Sequence, residues 1–170
     1  MFNNFPITNI YEKPSKKSKI SSQMLYGEEF KILWKSREWY KIKTNYDGYK
    51  GYITKKKFYN KLNIELKVYK LKSRIFKKIK NKFIKTNKFL YFASSVPNIE
   101  KNENFIKFDK NKWIKKKDLK NINCITKNNF NYLNKFINVK YKWGGKHYSG
   151  IDCSGLIQIF LNFNNKFCPR

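Results

Sequence analysis

Short apolar stretches separated by turn signals occupy the first third of the chain. Residues 30–34 (FKILW) are typical of a strand, and residues 39–43 (WYKIK) carry the period-two pattern of a half-buried β-strand. Residues 45–48 (NYDG) form a turn signal, and residues 49–54 follow as the return strand. Several short strands in so short a stretch predict a small β-barrel over residues 1–60.

A second unit of similar length follows. Residues 113–119 (WIKKKDL) echo residues 52–58 (YITKKKF) at an offset of 61, and apolar segments precede them at 89–93 and 105–108. The echo predicts a duplicated barrel over residues 61–122. The alternative is that two lysine-rich strands look alike by chance in a chain of this composition.

The pattern becomes helical after about residue 123. Thr126 is expected to cap a first helix. The apolar residues on one face of that helix are Phe130, Leu133, Phe136 and Ile137. A second helix is predicted to begin at Cys153. Its apolar positions Leu156, Ile157, Phe160 and Leu161 place Cys153 on the buried side of the first turn.

Cys153 has two possible roles at this position. Asp152 precedes it where an N-cap belongs, so the thiol lies at a helix N-terminus. The positive end of the helix dipole and the free N–H groups there favour a thiolate, and they also stabilise an oxyanion. The alternative is a small buried core residue.

The chain is strongly basic. It has 39 Lys and Arg against 11 Asp and Glu, a net charge of +28, which makes nucleic acid a possible partner. Arginine, however, occurs only at Arg37, Arg74 and Arg170, and the lysines are spread over the whole chain. A bias toward A/T-rich codons is the simpler explanation, so nucleic-acid binding is expected only through non-specific charge. The 41% hydrophobic content is enough to build cores.

The three cysteines argue against a disulfide framework. Cys124, Cys153 and Cys168 are odd in number and unevenly spaced, and they match no metal-site spacing, so neither a metal nor another cofactor is expected. No run of about 18 apolar residues is present, and the first ten residues contain no signal-like segment. We therefore expect a cytoplasmic protein without a membrane span. A start site assigned downstream of a signal would instead place it in the periplasm or cell wall.

Residues 141–158, YKWGGKHYSGIDCSGLIQ, form the most specific motif in the chain. Their pattern Tyr-x-Trp-Gly-Gly-x-x-x-x-Gly-x-Asp-Cys-Ser-Gly-Leu-x-Gln resembles the nucleophile segment of NlpC-type cell-wall peptidases, which are papain-like cysteine hydrolases. The WYKIK, DG and GYI segments of the first unit resemble the bacterial SH3-like domains that accompany such enzymes. The resemblance implies an α+β chain: two small SH3-like β-barrels (1–60 and 61–122), then the N-terminal helices of a truncated papain-like domain (123–170).

The same resemblance assigns roles to four residues. It makes Cys153 the nucleophile and places the hydroxyl of Tyr141 near the oxyanion. Asp152 and Ser154 become candidates for holding the free amine of a murein stem peptide, and family members cleave the bond between D-glutamate and a diamino acid. Each role has an alternative: Tyr141 as a core aromatic, Asp152 as a cap alone, and Ser154 as an ordinary helix residue.

The expected catalytic base is not found. In the family a histidine lies on a β-strand well downstream, whereas this sequence ends 17 residues after Cys153. Its only histidine, His147, falls in the variable part of the motif and is expected to be an exposed loop residue. We therefore expect an incomplete hydrolase with little or no activity. The alternatives are a non-catalytic peptidoglycan-binding SH3-like module and a basic nucleic-acid-binding protein; the oligomeric state stays open.

Overall fold

β-Strands dominate the part of the chain that the computed structural model describes, residues 1–125 and 130–170. Strands account for 45% of the residues and helices for 12%. The expected α+β class therefore holds only with a strong excess of strand. Within the described ranges, no helix is long and apolar enough to cross a membrane. The predicted cap Thr126 lies outside the described residues.

The first unit is one antiparallel sheet. Its strands are β1 (Ile7–Tyr11), β2 (Ile20–Leu25), β3 (Phe30–Lys35), β4 (Trp39–Thr44) and β5 (Lys50–Thr54). They pair in the order β2-β1-β5-β4-β3. The alternating pattern is confirmed over the second half of β4, where Ile42 and Thr44 are buried and Lys43 between them is exposed. Trp39 is buried on the other face of the strand. The fully buried core residues of this unit are Ile10, Met24, Phe30, Ile42 and Ile53.

The second unit contains two sheets. Its strands are β6 (Leu66–Val68), β7 (Lys72–Ile79), β8 (Lys82–Tyr91), β9 (Ser95–Val96), β10 (Glu100–Lys101), β11 (Phe105–Asp109), β12 (Lys112–Lys115) and β13 (Leu119–Asn121). They pair as β10-β11-β12-β7-β8 and as β13-β6-β9. Tyr26 of the first unit enters this core, with its ring 5.3 Å from that of Phe108.

The two closed barrels expected from the sequence are not confirmed. In the first sheet, β2 and β3 lie at opposite edges, and in the larger sheet of the second unit β10 and β8 do. Closure would need these edge strands to pair with each other, and no such pairing exists among the described strands.

The third segment is less helical than predicted. The first helix, α1 (Phe130–Leu133), passes into a 3₁₀ turn over Asn134–Phe136. Ile137 leaves helical geometry with ψ 131° and is 65% exposed, whereas Phe136 is buried. The prediction that these two residues share one helical face is wrong, because the helical conformation ends between them.

The main helix, α2 (Cys153–Phe163), begins where the sequence indicates but buries a different face. The buried residues are Gly155, Gln158, Ile159, Phe160 and Phe163. Ile157 is 47% exposed and Cys153 is exposed, so the prediction that Cys153 lies on the buried side is wrong. Phe163 stacks on Phe92 of the second unit at 4.6 Å, and this packing fixes the rotation of a helix that has apolar residues on most of its circumference.

Candidate functional site

A short hairpin leads the chain into α2. Its strands β14 (Lys146–His147) and β15 (Gly150–Ile151) pair antiparallel, and Tyr141 forms a parallel bridge with Ile151. The backbone N–H of Lys142 donates to the Ile151 carbonyl at 3.1 Å. These contacts hold Tyr141 beside the backbone that enters the helix at Cys153.

Two glycines of the motif allow a close approach of backbones. Gly144 has φ +70°, and a Cβ there would lie 2.5 Å from the carbonyl oxygen of Ile20 on β2. A Cβ at Gly155 would lie 2.4 Å from the carbonyl oxygen of Gly145. The glycines therefore bring the loop against both the first sheet and the start of α2.

The carboxylate of Asp152 is the centre of this arrangement. Oδ1 accepts hydrogen bonds from the Gly155 N–H at 2.6 Å and from the Ser154 hydroxyl at 3.1 Å. Oδ2 accepts from the Gly144 N–H at 2.8 Å and from the Arg170 guanidinium at 2.7 Å. An ionised carboxylate has about four acceptor sites, so this one is fully occupied.

Asp152 thus caps α2 and also holds the glycine-rich loop of the motif through its hydrogen bond from Gly144. A substrate amine at this carboxylate would have to displace the guanidinium of Arg170 or the hydroxyl of Ser154. The roles of Asp152 and Ser154 in binding an amine stay predictions.

Cys153 is the first residue of α2, and its thiol is free and exposed. Among the described residues, neither its thiol nor its backbone N–H has a hydrogen-bond partner. Tyr141 and Trp143 are 67% and 65% exposed, so the alternative that Tyr141 is a core aromatic is wrong. The proximity of the Tyr141 hydroxyl to an oxyanion stays a prediction.

A cavity of about 580 Å³ lies between the motif loop and the first unit. Its lining residues are Ser18, Lys19, Ile20 and Trp143. Ser18 and Lys19 belong to the exposed loop that leads from β1 into β2, and Trp143 precedes the glycine that contacts Ile20. The first unit therefore forms one wall of a cleft whose other wall is the motif loop.

His147 contacts Ser149 and Tyr91. Its Nδ1 accepts the Ser149 N–H at 3.3 Å, and its ring centroid lies 4.7 Å from that of Tyr91. Burial, reinforced by the positive charge of Lys142, lowers the pKa of His147 to about 4. The expectation of an exposed loop residue is wrong, and in the described residues no hydrogen bond joins His147 to Cys153.

Several residues that hold the site together were not identified from the sequence. Gln158 is fully buried, and its amide donates to Asp47 of the first unit at 2.6 Å and to the Cys168 carbonyl at 3.2 Å. The sequence indicates a role for Gln158, because a polar residue among apolar helix positions needs a hydrogen-bond partner once it is buried. No residue pattern near Arg170 indicates its ion pair with Asp152.

A buried ion pair also fastens the hairpin to the first unit. The ammonium of Lys146 lies 3.4 Å from the Glu28 carboxylate, with the side chains 4% and 11% exposed. Burial raises the pKa of Glu28, and Lys146 opposes that rise. The backbone N–H of Lys146 donates to Gln23 at 2.9 Å, so the hairpin is held at two points.

The described residues contain no group of three or more His, Cys, Asp or Glu side chains that could hold a metal ion. Cys124, Cys153 and Cys168 are all free.

The comparisons with known proteins agree with parts of this picture. Residues 8–57 match the family model described as the bacterial SH3 domain. No curated protein sequence matches the chain. The crystal structure of an NlpC/P60 family protein from Bacillus cereus ATCC 10987 is similar with a TM-score of 0.80 and 17% identity, over 99% of this chain and 73% of that one.

A second solved structure, NlpC2 from Trichomonas vaginalis, aligns over 96% of this chain and 64% of that one at 16% identity. Its TM-score of 0.33 is too low to show a common fold. The Bacillus cereus structure, at 17% identity, shows that this chain shares the fold of an NlpC/P60 family protein.

Proposed function

We propose that this chain carries the nucleophile and one cleft wall of a cysteine peptidase that hydrolyses murein stem peptides at the D-glutamyl–diamino-acid amide bond. The observation that carries the proposal is the exposed thiol of Cys153 on the first residue of α2, directly after the cap Asp152. The fold shared with an NlpC/P60 family protein and the bacterial SH3 match support it.

The chemistry begins at the thiol. The Cys153 thiolate attacks the amide carbonyl, and negative charge develops on the carbonyl oxygen. The N–H groups of Cys153 and Ser154 have no partners among the described residues and can donate to that oxygen. In the same proposal the Tyr141 hydroxyl adds a third donor, and Ser154 contacts the substrate amine.

The proton of the thiol needs an acceptor, and within residues 1–125 and 130–170 no side chain is hydrogen-bonded to this thiol. His147 is the only histidine of the sequence; it accepts a hydrogen bond from Ser149, and its ring packs against that of Tyr91. Loss of the nucleophile or base of a comparable catalytic triad costs on the order of 10⁶-fold in turnover. We therefore propose that the 170-residue chain alone has little or no turnover, while Cys153 still reacts with an electrophile.

Covalent trapping tests the site without requiring turnover. The chain is treated with a chloromethyl ketone built on a D-glutamyl peptide, and the labelled residue is identified by mass spectrometry. We expect labelling at Cys153, protection by free stem peptide, and no labelling of Cys153→Ala. Cys168→Ala is the matched control and should label normally; equal labelling of Cys124 or Cys168 would exclude a selective site at Cys153.

Turnover is measured separately on a peptide that contains the D-glutamyl–diamino-acid bond, with products detected by mass spectrometry. We expect no products above those of Cys153→Ala. Cleavage that disappears in His147→Ala would show that His147 acts as the base and would overturn the proposed inactivity of the isolated chain.

A peptidoglycan-binding module without catalysis is the second candidate, favoured by the bacterial SH3 match over residues 8–57. Its test is sedimentation of Cys153→Ala with purified sacculi. Retention equal to that of the unmodified chain, together with failure of the trapping experiment, would favour binding alone.

The net charge of +28 keeps nucleic acid as a third candidate partner. Binding that saturates and falls steeply with salt would support it, and the lack of either would remove it. We propose a cytoplasmic location, because the odd number and uneven spacing of the three cysteines favour a reducing compartment, which would keep Cys153 a thiol. Fractionation of cells checks this location; recovery from the cell wall would contradict it.

A further inference from the structure

A second cavity, of about 480 Å³, lies where three parts of the molecule meet. The first unit contributes most of its wall through β1 and the two residues before it, together with Gln23, Thr54 and Lys56. Tyr91, at the end of β8, and the motif residues Lys142 and His147 complete it. Cys153 is not among the residues that line this cavity. A ligand bound in the cavity would therefore not be the substrate that reacts at the thiol.

The polar groups of this cavity are mostly donors. Lys56 and Lys142 contribute ammonium groups, and neither forms an ion pair within the described residues. The Nδ1 of His147 accepts a hydrogen bond from Ser149, so a neutral ring carries its proton on Nε2 and donates from there.

Two further donors line the cavity. The carbonyl oxygen of the Asn9 side chain accepts from Gln23 at 2.8 Å, which leaves the Asn9 amide N–H groups available. The hydroxyl of Tyr91 has no hydrogen-bond partner among the described residues. None of the residues that line the cavity is acidic, so nothing on its surface neutralises the lysines.

Apolar side chains form another part of the cavity wall. Phe5, Pro6, Ile7 and Tyr11 line it, and the Lys56 ammonium lies 4.5 Å from the centroid of the Phe5 ring. The volume is several times that of a bare inorganic anion, so an ion alone would leave the apolar wall without contacts.

We propose that this cavity binds an organic anion, a carboxylate or phosphate monoester carried on an apolar group. The anionic oxygens accept from Lys142, His147 and Tyr91, while the apolar group packs against the ring of Phe5 and its neighbours. Such charge-assisted hydrogen bonds are the stronger kind, and the two unpaired ammonium groups gain a counter-charge.

Calorimetric titration of the full chain tests the proposal with defined probes. Benzoate and phenyl phosphate represent the two anion classes on an apolar group, acetate and inorganic phosphate are bare anions, and benzamide is a neutral analogue. Because His147 is the only histidine, its imidazole resonances need no assignment, and their shift reports binding in this cavity. We expect saturable binding of benzoate or phenyl phosphate, with a rise in the pKa of His147, and none of benzamide.

Two variants and one control locate the site. Lys142→Gln and His147→Gln should each weaken binding about tenfold, the loss of one hydrogen bond to a charged group. Lys101→Gln removes the same charge from β10, outside the cavity, and should leave binding unchanged.

Three results would overturn the proposal. The first is the absence of saturable binding by either organic anion, and the second is an equal loss of binding in Lys101→Gln. The third is equal affinity for bare and aromatic anions, which would show that the apolar wall contributes nothing. The relative affinity of benzoate and phenyl phosphate decides between the two anion classes.

Discussion

The guanidinium of Arg170 lies 2.7 Å from the carboxylate of Asp152, and the two side chains are only 4% and 9% exposed. The residues are separated by the whole of α2, so the pair closes the C-terminal segment back onto the start of that helix. The carboxylate that caps α2 is thereby neutralised and fixed, directly before Cys153.

The Arg170→Met variant removes the charge but keeps an unbranched side chain. It should lower the free energy of unfolding by about 2–4 kcal/mol, because a buried carboxylate loses its counter-ion while keeping three neutral donors. Urea denaturation measures the change, and Arg37→Met, at an exposed arginine, should change it by less than about 0.5 kcal/mol. Equal effects of the two variants would show that the pair adds nothing to stability.

Gly144→Ala tests the contact between the motif loop and the first sheet. Its Cβ would meet the Ile20 carbonyl oxygen at 2.5 Å in addition to the strain of φ +70°. Gly48→Ala is a matched control, since φ is +71° there but the nearest atom is the flexible end of Lys43 at 3.3 Å. We expect a loss of about 1 kcal/mol for Gly48→Ala and a clearly larger one for Gly144→Ala, measured by thermal unfolding.

Cys153 should react first among the three cysteines with a neutral thiol reagent. It is exposed, whereas Cys124 and Cys168 are partly buried, and the Cys168 thiol also contacts the Pro169 carbonyl at 3.3 Å. Stopped-time labelling followed by intact-mass analysis should show a fast phase that is lost in Cys153→Ser and kept in Cys168→Ser. A fast phase that survives in Cys153→Ser would contradict the exposed position of the thiol.

His147 makes stability depend on pH in a definite direction. Its pKa is about 4 in the folded chain against an ordinary 6.5, so the folded state binds fewer protons than the unfolded state between these values. The free energy of unfolding is therefore highest above about pH 6.5, falls as the pH drops toward 4 because only the unfolded state takes up the proton, and changes little from this source below pH 4. Comparison of the unmodified chain with His147→Gln isolates this contribution from the carboxylates, and NMR of the single imidazole measures the pKa directly. A measured pKa near 6.5 would show that the ring is solvated.

Local patterns predicted β3, β4 and β5 of the first unit, several apolar segments of the second unit and the start of the main helix. The alternation in β4 is visible in the sequence because Tyr40 and Ile42 lie two positions apart and a lysine follows each of them, as expected on a strand with one solvated face. The start of α2 is equally local, since the Asp152 side chain bonds the N–H of Gly155 three residues on. Barrel closure was not predictable in this way, because it depends on whether edge strands far apart in sequence pair.

The buried face of α2 also could not be predicted from local sequence. Apolar residues occupy most of its circumference, so its periodicity does not select one side. Packing of Phe163 on Phe92 selects it, and this contact leaves Cys153 exposed. The burial of His147 follows in a similar way from Tyr91, a residue of the second unit that no pattern around the motif indicates.

The sequence by itself determined the short-range parts of this protein: the strands β3, β4 and β5, the glycine-rich loop of the motif, the cap Asp152 and the position of Cys153 at a helix start. The tertiary structure decided which other residues each of these parts contacts. The Gln158–Asp47 bond and the Asp152–Arg170 pair join residues 111 and 18 positions apart. Such contacts form only when separate elements pack together, so their energies depend on distances that no local pattern encodes.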